Sequence, residues 1–309
     1  MSTSPATFVR KRVAIAGSSG LVGSALSSFL AGKGLQIVPL VRHSPKPGSS
    51  EVQWDPVQGR LDPHSLAGVD AVINLAGENI AAGRWTDSRK RAILESRVVS
   101  TRLLAETIAR LDPRPRVFVS ASAVGFYGHR GEERLTENSP SGWGFLADVC
   151  RRWEHATVPA SEAGVRVVQL RLGMVLSARG GALARMLTPF KLGMGGPIGS
   201  GRQWMSWIGL TDLVRCIEHL IIHDTITGPA NAVSPYPVTN AEFAATLGKV
   251  LCRPAILRTP AMLVSVLLGE LGRELLLAST RAEPSRLLSD GFVFAHPDLA
   301  SALRAELTS

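Results

Sequence analysis

VAIAGSSGLVG, residues 13–23, is the stretch that decides the fold. Its four leading apolar residues, 13–16, read as a short buried strand, and from Leu21 a helical pattern runs to residue 30 and stops near Gly32 and Gly34. Between the two lies Gly17-Ser18-Ser19-Gly20-Leu21-Val22-Gly23. A glycine turn set directly between a strand and a helix permits a tight reversal and a close backbone approach to an anion. The helix start supplies free N–H groups to that anion. With the strand before it and the helix after it, the turn has the context a dinucleotide pyrophosphate site requires.

A second test lies at the end of the next strand, residues 36–41. A site preferring NAD places a carboxylate there, about 20 residues beyond the turn, on the ribose hydroxyls. No Asp or Glu occurs between Gly17 and Glu51. The strand instead ends Val41-Arg42-His43, with Lys46 close behind, and a guanidinium at Arg42 can pair a 2′-phosphate bidentately. The expected cofactor is therefore NADP (NADPH).

Further strands are expected at residues 71–75, 117–120 and 165–170, with helices at 88–109 and 145–163 between them. The strands are short apolar runs without strict alternation, as in a sheet covered on both faces. This predicts an α/β fold, a Rossmann-type doubly wound parallel sheet, over residues 1–235. The glycine-rich run 193–201 and SPYP at 234–237 read as loops. Residues 236–309 read as a smaller, mainly helical C-terminal region on the substrate side, with helices at 260–268 and 271–277 and one short strand in GFVFAHP (291–297).

Composition bounds the function. The 309 residues suggest about two domains. With 45% hydrophobic and 19% charged residues, against a usual charged share of about 25%, a disordered or fibrous chain is excluded. The longest uncharged apolar run, residues 260–269, is about half a membrane span. The opening MSTSPATFVRKR has no apolar stretch before a cleavage site, and the three cysteines form no C-x-x-C, so a cytoplasmic protein is expected. The formal net charge is +9, but the basic residues are spread along the chain. The densest cluster, Arg84, Arg89, Lys90 and Arg91, leads into a helix and reads as a solvated face, so neither nucleic acid nor membrane is an expected partner. A small-molecule substrate is expected; the oligomeric state is open.

The run Asn74-Leu75-Ala76-Gly77, the later Ser120-Ala121-Ser122 with Gly125-Phe126-Tyr127-Gly128, and the GxxGxxG turn resemble the extended short-chain dehydrogenase/reductases, of the NAD(P)-dependent epimerase/dehydratase class. Through NLAGENIAAGRW, GGPIGSGRQ and VSPYPVTN the chain is similar to the YfcH-type epimerase-family proteins, and RPAILRTPA and GFVFAHP resemble that family's extra C-terminal domain. The resemblance implies that Gly17, Gly20 and Gly23 hold the dinucleotide phosphates, that Leu75, Ala76 and Gly77 lie by the cofactor, and that Ser122 sits near the nicotinamide. It also implies a Tyr-x-x-x-Lys pair, in which the lysine lowers the tyrosine pKa for proton transfer. That pair is absent. Four residues beyond Tyr127 and Tyr236 stand Gly131 and Asn240, and the corresponding helix reads Phe145-Leu146-Ala147-Asp148-Val149.

Two accounts stay open. In one, the protein is an oxidoreductase or epimerase in which Ser122 polarises a carbonyl and Tyr127, Glu78 or Asp148 handles the proton. In the other, the fold keeps its dinucleotide site and serves as a redox-sensing or regulatory interaction protein. Cys216, His219 and His223 share a helix face but lack a carboxylate partner in the sequence pattern, so no metal site is expected. The loop before Arg202-Gln203 lacks the Lys-Ser/Thr of an ATP loop, and there is no G-x-S-x-G. Cys150 reads as a core residue; Trp204 and Trp207 either line a pocket or pack in a core.

Overall fold

The computed structural model describes residues 11–308; most of the opening stretch read for a secretory signal lies outside them. The chain runs β1 (Arg12–Ala16), α1 (Leu21–Gly32), β2 (Gln36–Val41), β3 (Val52–Asp55), β4 (Arg60–Leu61), β5 (Ala71–Asn74), α2 (Asp87–Ala109), β6 (Val117–Ala123), β7 (Arg134–Leu135), α3 (Phe145–His155), α4 (Val158–Glu162) and β8 (Arg166–Leu172). It continues through β9 (Met174–Leu176), α5 (Gly181–Lys191), β10 (Trp204–Met205), β11 (Trp207–Gly209), α6 (Leu210–Ile222), β12 (Gly228–Ala232), β13 (Val238–Thr239) and α7 (Asn240–Val250). It closes with α8 (Ala261–Leu268), α9 (Glu270–Gly272), α10 (Ser285–Ser289) and α11 (Leu299–Thr308).

Eight strands form one sheet in the order β12-β8-β6-β5-β1-β2-β3-β4. Every pairing is parallel except β3 with β4. Alternate residues of each strand face opposite layers. Val13 and Ile15 of β1 pack with Leu26 and Leu30 of α1 and with α6, while Ala14 and Ala16 pack toward Leu104 and Ile108 of α2. Burial on both faces explains why these strands read as continuous apolar runs. From β1 the chain winds outward through β2, then returns to β5 on the other side of β1. That reversal opens a crevice at the carboxyl ends of the strands, where open α/β sheets bind ligands.

Several elements differ from the sequence reading. The helix expected over 145–163 is two, α3 and α4, because Pro159 supplies no N–H and its ring would clash with the carbonyl one turn earlier. GFVFAHP forms no strand. Phe292 and Phe294 pack into the core against α6, and the N–H groups of Ala295 and His296 donate to Asp212 at 2.7 and 2.9 Å. The edge strands β4 and β12, and β3 next to β4, are not expected from the sequence. The C-terminal region also contributes strands: β13 pairs with β10, and a two-residue strand at Arg281–Ala282, β14, pairs with β7. Among the described residues no helix is long and apolar enough to cross a membrane.

Candidate functional site

The glycine turn sits at the carboxyl end of β1. Gly17 has φ +79°, and a Cβ built there would lie 2.8 Å from the Leu75 carbonyl carbon. A Cβ on Gly23 would lie 2.1 Å from the Gly17 oxygen, so the turn and the first coil of α1 pack backbone on backbone. Gly20 caps α1 without a side chain, and no acid stands in the first turn. The helix therefore starts with unclaimed N–H groups and a positive dipole end, while Ser19 and Gly20 are open to solvent. That arrangement fits an anion. Beside it, Leu75 N–H donates to Ala16 O at 2.9 Å and Ala76 N–H to Asn74 Oδ1 at 3.1 Å, holding the Leu75–Gly77 backbone along the crevice. Arg42 stands exposed just past β2, where the next loop is folded around Glu51, whose carboxylate lies 3.6 Å from His43 and accepts from Lys46 N–H at 3.5 Å.

Ser122 and Tyr127, the two residues expected to carry chemistry, belong to one buried network. Ser122 is 1% exposed, and its hydroxyl donates to Glu154 Oε1 at 2.7 Å. Glu154 is gripped in turn by Arg171, Nε to Oε1 at 2.8 Å and Nη2 to Oε2 at 2.9 Å. Arg171 Nη1 donates to the Tyr127 oxygen at 3.0 Å, and that hydroxyl donates to Asn231 Oδ1 at 2.7 Å, with Thr136 O also near at 3.0 Å. Tyr127 is fully buried, and burial pushes its phenol up despite the facing Arg171. It stays protonated near neutral pH. The other candidate acids are engaged at the surface: Glu78 with Arg89 at 3.1 Å, and Asp148 with Arg152 at 3.0 Å.

The helix that would carry the tyrosine and lysine is built differently. The Phe145 ring meets Trp85 edge-on, with centroids 5.0 Å apart, and Lys90 Nζ lies 4.8 Å from its centroid. Val149 is buried. The first N–H groups of α3, from Phe145 and Leu146, donate to the two oxygens of Glu274, each at 2.8 Å. Lys90 pairs with Glu270 at 2.7 Å, and Arg84 donates to Val266 O. The segment from α8 to residue 277 is thus fastened over the starts of α2 and α3. Arg185 of α5 reaches across to Ala81 O at 3.0 Å. Deeper in, Thr101 Oγ1 accepts from Asn74 Nδ2 at 2.8 Å and Trp153 Nε1 at 2.9 Å, joining β5, α2 and α3.

Sequence reasoning missed Glu270, which pairs with Lys90 of α2, and Glu274, which caps α3; both lie far along the chain from those helices, and no local pattern marks them. Trp85 and Lys90 were visible only inside longer stretches. Of the two tryptophans near the 193–207 loop, Trp207 is a core residue with no exposure, whereas Trp204 lies under the Arg281 guanidinium at 4.0 Å. Cys216 is buried, His219 bonds Asp290 at 2.7 Å, and among the described residues no group of three or more His, Cys, Asp or Glu could hold a metal ion.

Comparison with known proteins agrees with this geometry. Residues 13–233 match the model of the NAD dependent epimerase/dehydratase family, and residues 259–306 match a domain of unknown function, DUF1731. An epimerase family protein of Mycobacterium bovis is 45% identical, over 94% of this chain and 96% of the relative. The crystal structure of human epimerase family protein SDR39U1 with NADPH superposes with a TM-score of 0.87 at 34% identity, covering 96% of this chain and 99% of that one. A structure described as the nucleoside-diphosphate sugar epimerase from Corynebacterium glutamicum gives a TM-score of 0.80 at 42% identity, over 96% of this chain and 58% of that chain.

Proposed function

We propose, from the premise that this chain belongs to the NAD dependent epimerase/dehydratase family, that it binds NADPH at the carboxyl end of its sheet and serves hydride transfer on a small molecule. The observation that carries the reading is the glycine turn, closed so tightly on itself that Gly17 and Gly23 admit no side chain, with the uncapped start of α1 behind it. Gly17, Ser18, Ser19, Gly20, Leu21, Val22 and Gly23 hold the phosphates, Arg42 pairs the 2′-phosphate, and Leu75, Ala76 and Gly77 lie along the cofactor. The NADPH in the human relative supports this choice of dinucleotide. When bound, NADPH supplies a hydride to a carbonyl carbon.

Ser122 lies at the nicotinamide end in this reading. Its proton is committed to Glu154, so it orients the floor of the cleft and offers lone pairs. Tyr127 is a positioning residue, because its hydroxyl has no path to a ligand. The Corynebacterium neighbour makes nucleoside-diphosphate sugars the first substrate class to try. The partner is a small molecule and not nucleic acid or membrane. The three free cysteines fit a reducing compartment, the cytoplasm.

One observation favours a second reading. Phe145 and Val149 replace the proton-transferring pair while Tyr127 is sealed inside, which suits an NADPH-binding protein that reports redox state to a partner without turnover. Incubation with NADPH or NADP and a panel of nucleotide sugars and simpler carbonyls, followed by the absorbance of the reduced nicotinamide, separates the two. Turnover that Ser122→Ala abolishes while NADPH affinity persists supports the enzyme. Intact NADPH binding without turnover across the panel selects the sensor.

A further inference from the structure

We propose that Arg97, on α2, supplies the cation at the nicotinamide-side phosphate and ribose that the missing lysine of α3 would supply; the proposal rests on the dinucleotide reading above. The position expected for that lysine is Val149, which is buried and uncharged. Arg97 reaches the flank of α3 from the neighbouring helix. A Cβ built on Gly77 would meet Arg97 Cζ at 3.2 Å and Nη1 at 3.4 Å, so the guanidinium lies directly against the turn that ends β5. Its Cζ also stands 5.1 Å from the Trp153 ring centroid, on the flank of α3. One turn up that helix, Cys150 feels the Arg97 charge, and its Sγ lies 3.7 Å from Ala123 O, adjacent to Ser122. The guanidinium therefore stands between Gly77 and the Trp153 flank of α3, the helix whose Cys150 touches the backbone next to Ser122.

The charge on Arg97 is not answered within the protein. Nη1 donates to Ile93 O at 3.0 Å and Ser96 Oγ at 3.5 Å, and Nη2 donates to Glu78 O at 2.9 Å, all neutral acceptors. Among the described residues no carboxylate lies within ion-pair distance of Arg97, and Glu78, the acid nearest in its field, is engaged by Arg89. Burial pulls the Arg97 pKa down, as expected of a half-buried cation with no carboxylate paired to it. A guanidinium has five donors in a fixed fork, so backbone carbonyls can anchor it and still leave N–H groups for an anionic ligand. Gly77 matters for the same reason: a Cβ there would press on the fork at 3.2 Å.

The test is calorimetric titration of the full chain and its Arg97→Met variant with NADPH and with adenosine 2′,5′-bisphosphate, a fragment that reaches the Arg42 end but has no nicotinamide half. Arg97→Met is expected to weaken NADPH by about tenfold or more and the fragment by less than about twofold, whereas Arg42→Ala weakens both. Arg97→Lys, which keeps the charge but loses the fork, is expected to fall between wild type and Arg97→Met for NADPH; it carries the test if Arg97→Met fails to fold. NADPH affinity unchanged in Arg97→Met, or equal losses for NADPH and the fragment, would overturn the proposal while leaving the cofactor reading in place. Wild-type protein that binds no NADPH would overturn both.

Discussion

In the proposed reading Arg42 carries the choice between the two dinucleotides: it is exposed at the end of β2, and the adjoining acid, Glu51, is turned onto His43 and the loop backbone. Arg42→Ala is expected to weaken NADPH by about tenfold or more, roughly 1.4 kcal/mol, and to leave NADH within about twofold; calorimetry with both reads the ratio. Gly23 carries the shape of the turn. A methyl there would sit 2.1 Å from the Gly17 oxygen, so Gly23→Ala must push α1 off the turn. Overpacking of this kind typically costs about 1–3 kcal/mol, read as a lower melting temperature together with lost dinucleotide binding. Cys150 gives a pH signature. Burial, with Glu154 adding to it, pushes its thiol from an ordinary 9.0 up to about 12. The folded protein thus holds a proton that the unfolded chain releases, and this stabilisation, complete below about pH 9, is lost as pH rises toward about 12. Cys216 and Tyr127 are raised in the same sense, chiefly by burial, so alkaline instability is shared; Cys150→Ala is expected to make the fall shallower in denaturation curves across that range.

At the scale of elements, α3 is held in an unusual way. Gly144 precedes it at φ +111° and gives no side-chain cap, so its first N–H groups depend on Glu274 from the C-terminal region. Glu274→Ala is expected to cost about 1 kcal/mol of stability and to speed hydrogen exchange at the Phe145 and Leu146 amides, as for loss of a helix cap. Unchanged exchange there would contradict the clasp. The elements that decide the fold were legible because their signals are local: β1, the glycine turn and α1 occupy one short stretch, and β5, β6 and β8 are apolar runs buried on both faces. The break between α3 and α4 is a local signal too, carried by Pro159 at the start of α4. The strand β12, GPANA, has no β-branched residue and owes its conformation to pairing with β8, so its sequence could not announce it. GFVFAHP reads as a strand, but the N–H groups of Ala295 and His296 go to Asp212, more than eighty residues earlier. Separation in sequence also hid Glu274, which accepts from amides 129 and 128 residues earlier, and no local pattern marks the approach of Arg97 to Gly77. The dinucleotide turn was readable as a motif; the burial of Ser122 and Tyr127 was not, because Glu154, Arg171 and Asn231 come from three separate elements.

At the scale of the molecule, the sheet sets the cleft and the C-terminal region closes it. Lys90 with Glu270, Arg84 with Val266 and the α3 N–H groups with Glu274 fasten residues 266–274 to the crevice side, while β14 on β7 holds the following segment. Beneath them the Arg171–Glu154 pair, with Ser122 and Tyr127, ties β6 and β8 to α3. Removing one member of a buried pair leaves the other charge unanswered, and Arg171→Met is expected to destabilise the fold by about 3–5 kcal/mol in denaturant titration. The net charge of +9 favours a polyanionic ligand over the whole surface, so in the proposed reading the selection of NADPH rests on the turn, Arg42 and Arg97. The most direct measurement is calorimetric titration of the purified protein with NADPH and with NADH in the same buffer. The account predicts saturable binding of NADPH that is tighter than that of NADH by about tenfold or more. Saturable binding of neither, or tighter binding of NADH, would contradict it.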